Sequence, residues 1–278
     1  MVTTSQLKGL LPNNHSMINL EPLKTIVECA LYSPYIQGEK PFSLLVVAKP
    51  ESGKTSVLKM YRENKGIAYV TDCTAYGLTR DILPKIVSGE VKTIIIPDLL
   101  TPLSKQTKTR QSFIAFLNNL IEEGIVEITT YANIWKRDVQ ANLVTAVTDE
   151  ALRDGRHSRA KMGFLSRFVI FSYSYSISTV QKVFEAYSLH GPTYEHVKLK
   201  FPEQPVSVKL SKNLADKLDP IATRIGQEFQ LYGFRAKINF RSVLKSLALR
   251  KSKTSVTTED FDEFLKLTNY MNLKFNPL

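Results

Sequence analysis

The sequence is poor in the residues that cross-link small secreted domains or hold structural metals. It contains two cysteines, Cys29 and Cys73, and four histidines that form no ligand spacing. Two cysteines are too few for a disulfide framework or a cysteine-based zinc site. The chain is therefore expected to bury an ordinary apolar core, which its 278 residues are long enough to do.

Long apolar runs are missing as well. No stretch of about 18 consecutive apolar residues, the length needed to span a bilayer, occurs in the chain. The amino terminus lacks the charged segment and apolar core of a secretion signal. We expect a cytoplasmic protein that makes no use of a membrane.

Acidic residues are outnumbered by basic ones. The chain has 37 lysines and arginines against 26 aspartates and glutamates, a formal net charge of +11. Basic domains often bind nucleic acid by neutralising its phosphates. A basic surface that only confers solubility is the alternative at this point.

The most informative stretch is FSLLVVAKPESGKTSVLKMY, which starts at Phe42. An apolar run is followed by a turn and then by a segment of helical character. Its centre fits the phosphate-loop pattern G-x-x-x-x-G-K-[ST] at every fixed position except the first, where Ala48 stands. In such loops backbone N–H groups wrap phosphate oxygens, while Lys54 would reach the β- and γ-phosphates and Thr55 would coordinate Mg²⁺. The predicted nucleotide contacts are Ala48, Lys49, Pro50, Glu51, Ser52, Gly53, Lys54, Thr55 and Ser56.

Strands alternate with helices in the first part of the chain, whereas the second part is mainly helical. We predict further strands at 66–72, 92–98, 143–148 and 167–173, a helix at 110–123, and later helices at 179–190, 214–232, 240–251 and 259–271. This order predicts an α/β fold in which helices cover both faces of a parallel sheet. We expect a nucleotide-binding core at 1–176, with a poorly ordered lead-in at 1–16. A small helical lid domain at 177–278, with a short β-hairpin at 196–210, completes the prediction.

A carboxylate stands at the end of the third predicted strand, in the segment IIIPDLL. Nucleotide hydrolysis with Mg²⁺ needs a carboxylate there, and Asp98 fits that place. Either Asp98 holds the metal and Leu99 occupies the usual position of a catalytic glutamate, or Pro97 fills the metal position and Asp98 is the base. A strand-end aspartate that merely caps a loop is the structural alternative.

The order of these segments resembles that of the AAA+ ATPases, and within them the motor module of MCM-type replicative helicases. The resemblance rests on Pro50 within AKPESGKTS, on TAYGLT at 74–79, on GFLSRF at 163–168 and on the lid sequence that begins INFRSVLKS. It covers residues 18–275. It implies the P-loop NTPase fold of that superfamily.

The resemblance also implies roles for individual residues. Lys54 and Thr55 would bind the phosphates and Mg²⁺ of ATP, and Thr148 would occupy the sensor position that orients the attacking water. Arg167 would be an arginine finger that acts in trans, and Arg241 would be the second sensor. A site completed by a neighbouring subunit implies a ring or helical homo-oligomer.

The segment between 125 and 142 is predicted to form a β-hairpin. In the family the corresponding hairpin points into the ring channel, and here Tyr131 lies near its tip with Trp135, Lys136 and Arg137 on the returning arm. Aromatic rings among cations suit base stacking and phosphate contacts. Alternatively, Trp135 packs into the sheet and the two cations are only solvated.

These observations favour an oligomeric ATPase that acts on DNA, in the manner of an MCM-like motor, a helicase loader or a DNA remodeller in replication. Processive unwinding by this chain alone is not expected, because it offers no room for a large amino-terminal DNA-binding region. The alternatives are a remodeller of a protein partner and an ATP-dependent assembly module with weak hydrolysis. The second is motivated by Ala48 and the unusual IIIPDLL segment.

Overall fold

A computed structural model describes residues 17–129, 134–139, 141–154, 163–190, 196–229 and 231–278. Its strands are β1 (Ser43–Ala48), β2 (Gly66–Tyr69), β3 (Val91–Ile96), β4 (Ile125–Thr129), β5 (Ile134–Asp138), β6 (Asn142–Thr148) and β7 (Phe168–Ser172). Five of them form an all-parallel sheet in the order β2-β3-β6-β1-β7, and β4 and β5 form a separate antiparallel hairpin. The predicted α/β class and the 125–142 hairpin are confirmed.

Helices follow most of the strands and dominate the last third of the chain. They are α1 (Glu21–Tyr32), α2 (Lys54–Met60), α3 (Ala75–Gly77), α4 (Leu83–Val87), α5 (Leu100–Leu103), α6 (Thr107–Asn118), α7 (Asp149–Asp154), α8 (Ile177–His190), α9 (Lys212–Asp216), α10 (Leu218–Glu228), α11 (Phe234–Arg250) and α12 (Thr258–Thr268). A π-helical turn, Asn119–Glu123, extends α6. It ends at Gly124, whose φ of 65° lies in the left-handed region that glycine adopts without strain. The predicted helix stop at Gly124 is confirmed.

Helices cover both faces of the sheet because its interior strand β1 is apolar on both sides. Every residue of β1 is buried. Leu44 and Val46 join an apolar cluster with α1, α2 and the carboxyl-terminal helices, whereas Leu45 and Val47 join a second cluster with α4 and α6. Because successive side chains of the strand from Leu44 to Ala48 enter two different apolar clusters, all of them are apolar, and this part of β1 is a continuous apolar run.

The carboxyl-terminal helices share the first of these clusters with the sheet. Helix α12 begins with a capping box, in which the Thr257 hydroxyl accepts a hydrogen bond from the Asp260 N–H and the Asp260 carboxylate accepts one from the Thr257 N–H. This confirms the predicted start signal. The hairpin predicted at 196–210 is not formed. Instead, Val206 forms a β-bridge with Ile36, and Lys209 forms one with Ser255. The extended segment therefore pairs with distant parts of the chain rather than folding back on itself.

Within the described ranges, none of the helices combines the length and apolar character needed to cross a bilayer.

Candidate functional site

The carboxyl edge of the sheet contains a crevice between β1 and β6. These strands are neighbours, and Ala48 lies opposite Thr148 in their register. The chain leaves β1 through α2 on one face of the sheet, whereas it leaves β6 through α7, whose Ala151 and Leu152 pack on the other face. In open parallel sheets, such a divergence creates the crevice in which ligands bind.

The loop between β1 and α2, here called the 48–55 loop, turns sharply at two positions. Glu51 and Gly53 have φ angles of 61° and 83°. The Ser52 hydroxyl donates a hydrogen bond of 2.7 Å to the Lys49 carbonyl oxygen and so closes the turn. A Cβ atom on Gly53 would come within 2.9 Å of Leu20 Cδ1, so both the backbone angle and the available space require glycine there.

The Lys54 side chain folds back into the loop. Its ammonium donates hydrogen bonds to the carbonyl oxygens of Ala48 at 2.8 Å and of Lys49 at 2.5 Å, and to the Ser52 hydroxyl at 3.1 Å. Only 8% of the residue is exposed. Burial lowers the pKa of Lys54 to about 8, although the nearby carboxylates of Asp149 and Asp98 partly oppose this decrease. The loop therefore holds a buried cation on neutral oxygen atoms.

The backbone of the loop presents hydrogen-bond donors that the protein does not use. Among the described residues, none accepts a hydrogen bond from the N–H groups of Glu51, Ser52, Gly53, Lys54 or Thr55. Free N–H groups around a buried ammonium are the donors that phosphate oxygens require. These residues fit the triphosphate of a nucleotide.

Oxygen ligands for a magnesium ion are available at the same edge. The exposed Thr55 follows Lys54, and Asp98 and Asp149 both lie near the Lys54 ammonium. Hydroxyl and carboxylate oxygens are ligands that Mg²⁺ accepts. The donor set fits that ion.

The two carboxylates differ in their surroundings. Asp98 is exposed, and its Oδ1 atom accepts a hydrogen bond of 2.9 Å from the Leu100 N–H, so it caps the start of α5. Asp149 is 7% exposed, lies in the first turn of α7 and is the larger of the two carboxylate influences on Lys54. Sequence reasoning selected Asp98 and missed Asp149. The sequence does show that Asp149 is an acidic residue directly after a buried strand, β6. Only the strand order of the folded sheet shows that β6 borders β1.

Thr148 lies at the crevice, as predicted, and its Oγ1 atom faces the start of α7, where it accepts a long hydrogen bond of 3.4 Å from the Ala151 N–H. Its proposed role in orienting water stays a prediction. The structure thus brings Lys54, Thr55, Asp98 and Thr148 to one edge of the sheet.

Arg167 lies at the opposite edge. It directly precedes β7, and Phe168 is opposite Ser43 at the amino end of β1. Six residues of parallel strand then separate it from the 48–55 loop, or about 20 Å at roughly 3.3 Å per residue. Its guanidinium pairs with Glu122 of the same chain. Arg167 is therefore too far from its own 48–55 loop to act there, and its predicted action in trans stays a prediction.

Arg241 also lies at the amino edge in this structure. Its guanidinium donates a hydrogen bond of 2.7 Å to Glu39, which precedes β1 and also accepts one of 2.6 Å from Lys245. Glu39 is 6% exposed. The structure does not bring Arg241 to the 48–55 loop of its own chain, and its second-sensor role stays a prediction.

The hairpin predicted to touch DNA projects from the amino edge, since it directly precedes β6. Tyr131 lies outside the described residues. Trp135, Lys136 and Arg137 lie on β5, where the backbone register places them opposite Ile128, Glu127 and Val126. Their contacts with nucleic acid stay predictions.

Comparison with models of known protein families gives no match to this chain, and comparison with curated proteins gives no relative.

Proposed function

We propose that this chain is an AAA+-type ATPase that binds ATP with Mg²⁺, assembles into a homo-oligomer and acts on DNA through the β4–β5 hairpin. The observation that carries the proposal is the buried Lys54 ammonium. It sits in a loop whose N–H groups at residues 51–55 have no acceptor among the described residues, with the carboxylates of Asp149 and Asp98 nearby. Structural lysines usually pair with carboxylates directly, whereas perturbed and unpaired cations concentrate in functional sites.

Each residue of the crevice has a distinct task in this proposal. The N–H groups of the 48–55 loop bind phosphate oxygens, and Lys54 exchanges its carbonyl partners for the β- and γ-phosphates. Thr55 and one or both of Asp98 and Asp149 hold Mg²⁺. When bound, the ion supplies positive charge to the phosphates that separate during hydrolysis. Thr148 orients water, and Asp98 or Asp149 accepts its proton.

The position of Arg167 supports a site shared between subunits. Phosphoryl transfer is accelerated by a cation that stabilises the charge of the transferring group. Arg167 is about 20 Å from its own loop by the strand spacing given above. We therefore assign it to the nucleotide of a neighbouring subunit, for which it has to leave Glu122.

The DNA assignment rests on the net charge of +11 and on the hairpin. A hairpin at the amino edge leaves the nucleotide crevice at the carboxyl edge free. Tyr131 and Trp135 would stack on bases, and Lys136 and Arg137 would contact phosphates. Each lost phosphate contact should reduce the salt dependence of single-strand binding by about 0.7 in log–log slope.

The direct test measures ATP binding and hydrolysis by the purified protein, with single- or double-stranded DNA and at graded salt. We expect binding that needs Lys54, and hydrolysis that DNA stimulates. Lys54→Ala should abolish both, whereas Lys65→Ala, a matched change at an exposed lysine beyond α2, should alter neither. A protein that binds no ATP would refute the nucleotide assignment. One that binds ATP but no DNA at low salt would refute the DNA assignment alone.

A second candidate function, the remodelling of a protein partner, is favoured by an exposed aromatic pair. Tyr232 and Phe234 are 85% and 74% exposed and stack with ring centroids 5.7 Å apart. They border an apolar cavity of about 330 Å³ that lies beside the edge strand β7. This candidate would be favoured if a protein, but not DNA, stimulated ATP hydrolysis. The Tyr232→Ser and Phe234→Ser variants should then lose that stimulation.

A further inference from the structure

One carbonyl group of the 48–55 loop receives two tyrosine hydroxyls. Tyr173, the first residue after β7, and Tyr175 each donate a hydrogen bond of 2.8 Å to the Ser52 carbonyl oxygen. Tyr173 is fully buried, and its own N–H continues the strand pairing with the Val47 carbonyl at 3.2 Å. The last strand of the sheet is thereby tied to the loop that follows the first one.

These hydrogen bonds determine which way the Ser52–Gly53 peptide faces. In a planar trans peptide the C=O and N–H groups point in opposite directions. A carbonyl held by the tyrosines therefore aims the Gly53 N–H away from them, and this N–H has no acceptor within the described part of the chain. It is available to an anion.

The peptide would have freedom to turn over without this restraint. Gly53 has a φ of 83°, and glycine adopts positive and negative φ with similar ease. Rotation of the peptide by about half a turn would direct the Ser52 carbonyl oxygen, instead of an N–H, at a phosphate. Such a rotation would leave the buried Tyr173 hydroxyl without its acceptor, which is unfavourable.

We propose that Tyr173 and Tyr175 are positioning residues that hold the Ser52–Gly53 peptide in the orientation that binds nucleotide phosphate. The inference rests on the proposed function, because the ligand is the phosphate chain of the nucleotide. Neither tyrosine touches that ligand in this assignment. Both act through one backbone carbonyl.

The tyrosines are suited to this task at all physiological pH values. Burial raises the pKa of Tyr173 well above its usual range and raises that of Tyr175 to about 12. Both hydroxyls therefore stay protonated and remain donors. Tyr175 also lies against Gly53, where a Cβ atom would come within 3.2 Å of its hydroxyl oxygen.

The test compares Tyr173→Phe, Tyr175→Phe and the double variant with Tyr61→Phe. Tyr61 is a matched control because it is also fully buried and its hydroxyl donates a hydrogen bond of 3.0 Å, but to Glu28 of α1. Tyr61 itself lies just after the carboxyl end of α2, away from the 48–55 loop. Titration calorimetry measures the affinity for ATP with Mg²⁺ and for inorganic tripolyphosphate, which contacts the loop alone. Thermal unfolding reports the loss of stability in each variant.

We expect affinity for both probes to fall about fivefold in each single variant and more than tenfold in the double variant, the size expected for one and two hydrogen bonds. Tyr61→Phe should lower the melting temperature about as much as Tyr173→Phe or Tyr175→Phe does, but it should leave both affinities unchanged. Tyrosine variants with unaltered affinity, or a control that loses as much affinity as they do, would overturn the inference.

A second readout separates this inference from the proposed function. The NMR signal of the Gly53 amide in the free protein should shift and broaden in the double variant, because the peptide then samples both orientations, but should not change in Tyr61→Phe. An unchanged Gly53 amide would contradict the restrained peptide. A wild-type protein that binds neither probe would overturn the proposed function, while the amide signal would still decide whether the tyrosines orient the loop.

Discussion

Two cationic regions of the molecule have opposite surroundings, one around the buried Lys54 and one around the more exposed Lys251. At the carboxyl edge of the sheet, Lys54 donates to two carbonyl oxygens and a hydroxyl, and burial lowers its pKa to about 8. Among the carboxyl-terminal helices, Lys251 donates to Asp260 at 2.7 Å and pairs with Glu263 at 2.6 Å. Burial alone would lower the pKa of Lys251, but these carboxylates raise it above its usual value.

The difference separates a cation that supports the fold from one that is kept available for a ligand. Arg250 beside Lys251 follows the structural pattern, since it joins Glu28 of α1 to Glu263 of α12 at 2.9 and 2.8 Å. A cation paired with carboxylates has little to gain from phosphate. Within the described part of the chain Lys54 has no such direct pair, and we expect its charge to be compensated only when an anion binds.

The sharpest test of this contrast replaces the ammonium by an apolar group of similar length. Lys54→Met should reduce the affinity for ATP at least about 100-fold, because charge-assisted hydrogen bonds to phosphate are lost. The free energy of unfolding should stay unchanged or rise by up to about 1 kcal/mol, since a costly buried charge is removed. Calorimetry and denaturant unfolding measure the two quantities. A large loss of stability would show that Lys54 is structural after all.

The reciprocal test is made at Asp260, which is fully buried. Asp260→Asn keeps the shape of the side chain and leaves Lys251 and Lys253 without their shared carboxylate. We expect the free energy of unfolding to fall by about 1.5 kcal/mol, the size of lost hydrogen bonds to a charged group, because the two lysines are partly exposed and can be solvated. ATP affinity, measured at a temperature where the variant is folded, should not change. If it did, the two regions would be coupled and the contrast would fail.

The shared site can be tested by mixing two inactive variants. Lys54→Met removes the phosphate ligand and Arg167→Ala removes the proposed trans cation. In a randomly mixed oligomer of equal parts, about a quarter of the interfaces combine an intact loop with an intact Arg167, so ATPase activity should return to about a quarter of wild type. Pre-formed oligomers that do not exchange subunits provide the control. Activity of Arg167→Ala alone at the wild-type level would place Arg167 with the structural cations.

The smallest expected effect concerns pH. Lys54 is charged below its pKa of about 8 and neutral above it, so ATP affinity should decrease as pH rises through 8, by up to about tenfold per pH unit. Because Asp149 and Asp98 raise this pKa, Asp149→Asn and Asp98→Asn should both move the midpoint to lower pH, and Asp149→Asn should move it further. A pH profile of the dissociation constant measures these midpoints. If the pH profile of Asp149→Asn were the same as that of the wild type, Asp149 would not belong to the nucleotide site.

Local patterns in the sequence predicted the elements of the sheet well. β1 and α2 follow from an apolar run, two turn residues and helical periodicity, and the capping box of α12 follows from Thr257 and Asp260. The prediction for 196–210 was wrong for an instructive reason. Alternating apolar residues indicate an extended segment, but they do not say which segment pairs with it, and here the partners are Ile36 and Ser255.

By itself, then, the sequence determined the strand, the phosphate-loop pattern and the helix around Lys54, because these depend on neighbours within a few residues. Only the tertiary structure decided that β6 borders β1, which brings Asp149 toward Lys54, and that Tyr173 reaches Ser52 from 121 residues away. It also decided that Arg167 lies at the opposite edge. Contacts between distant segments depend on the order of the strands and on which face of the sheet each connecting helix covers. Local periodicity in the sequence contains information on neither.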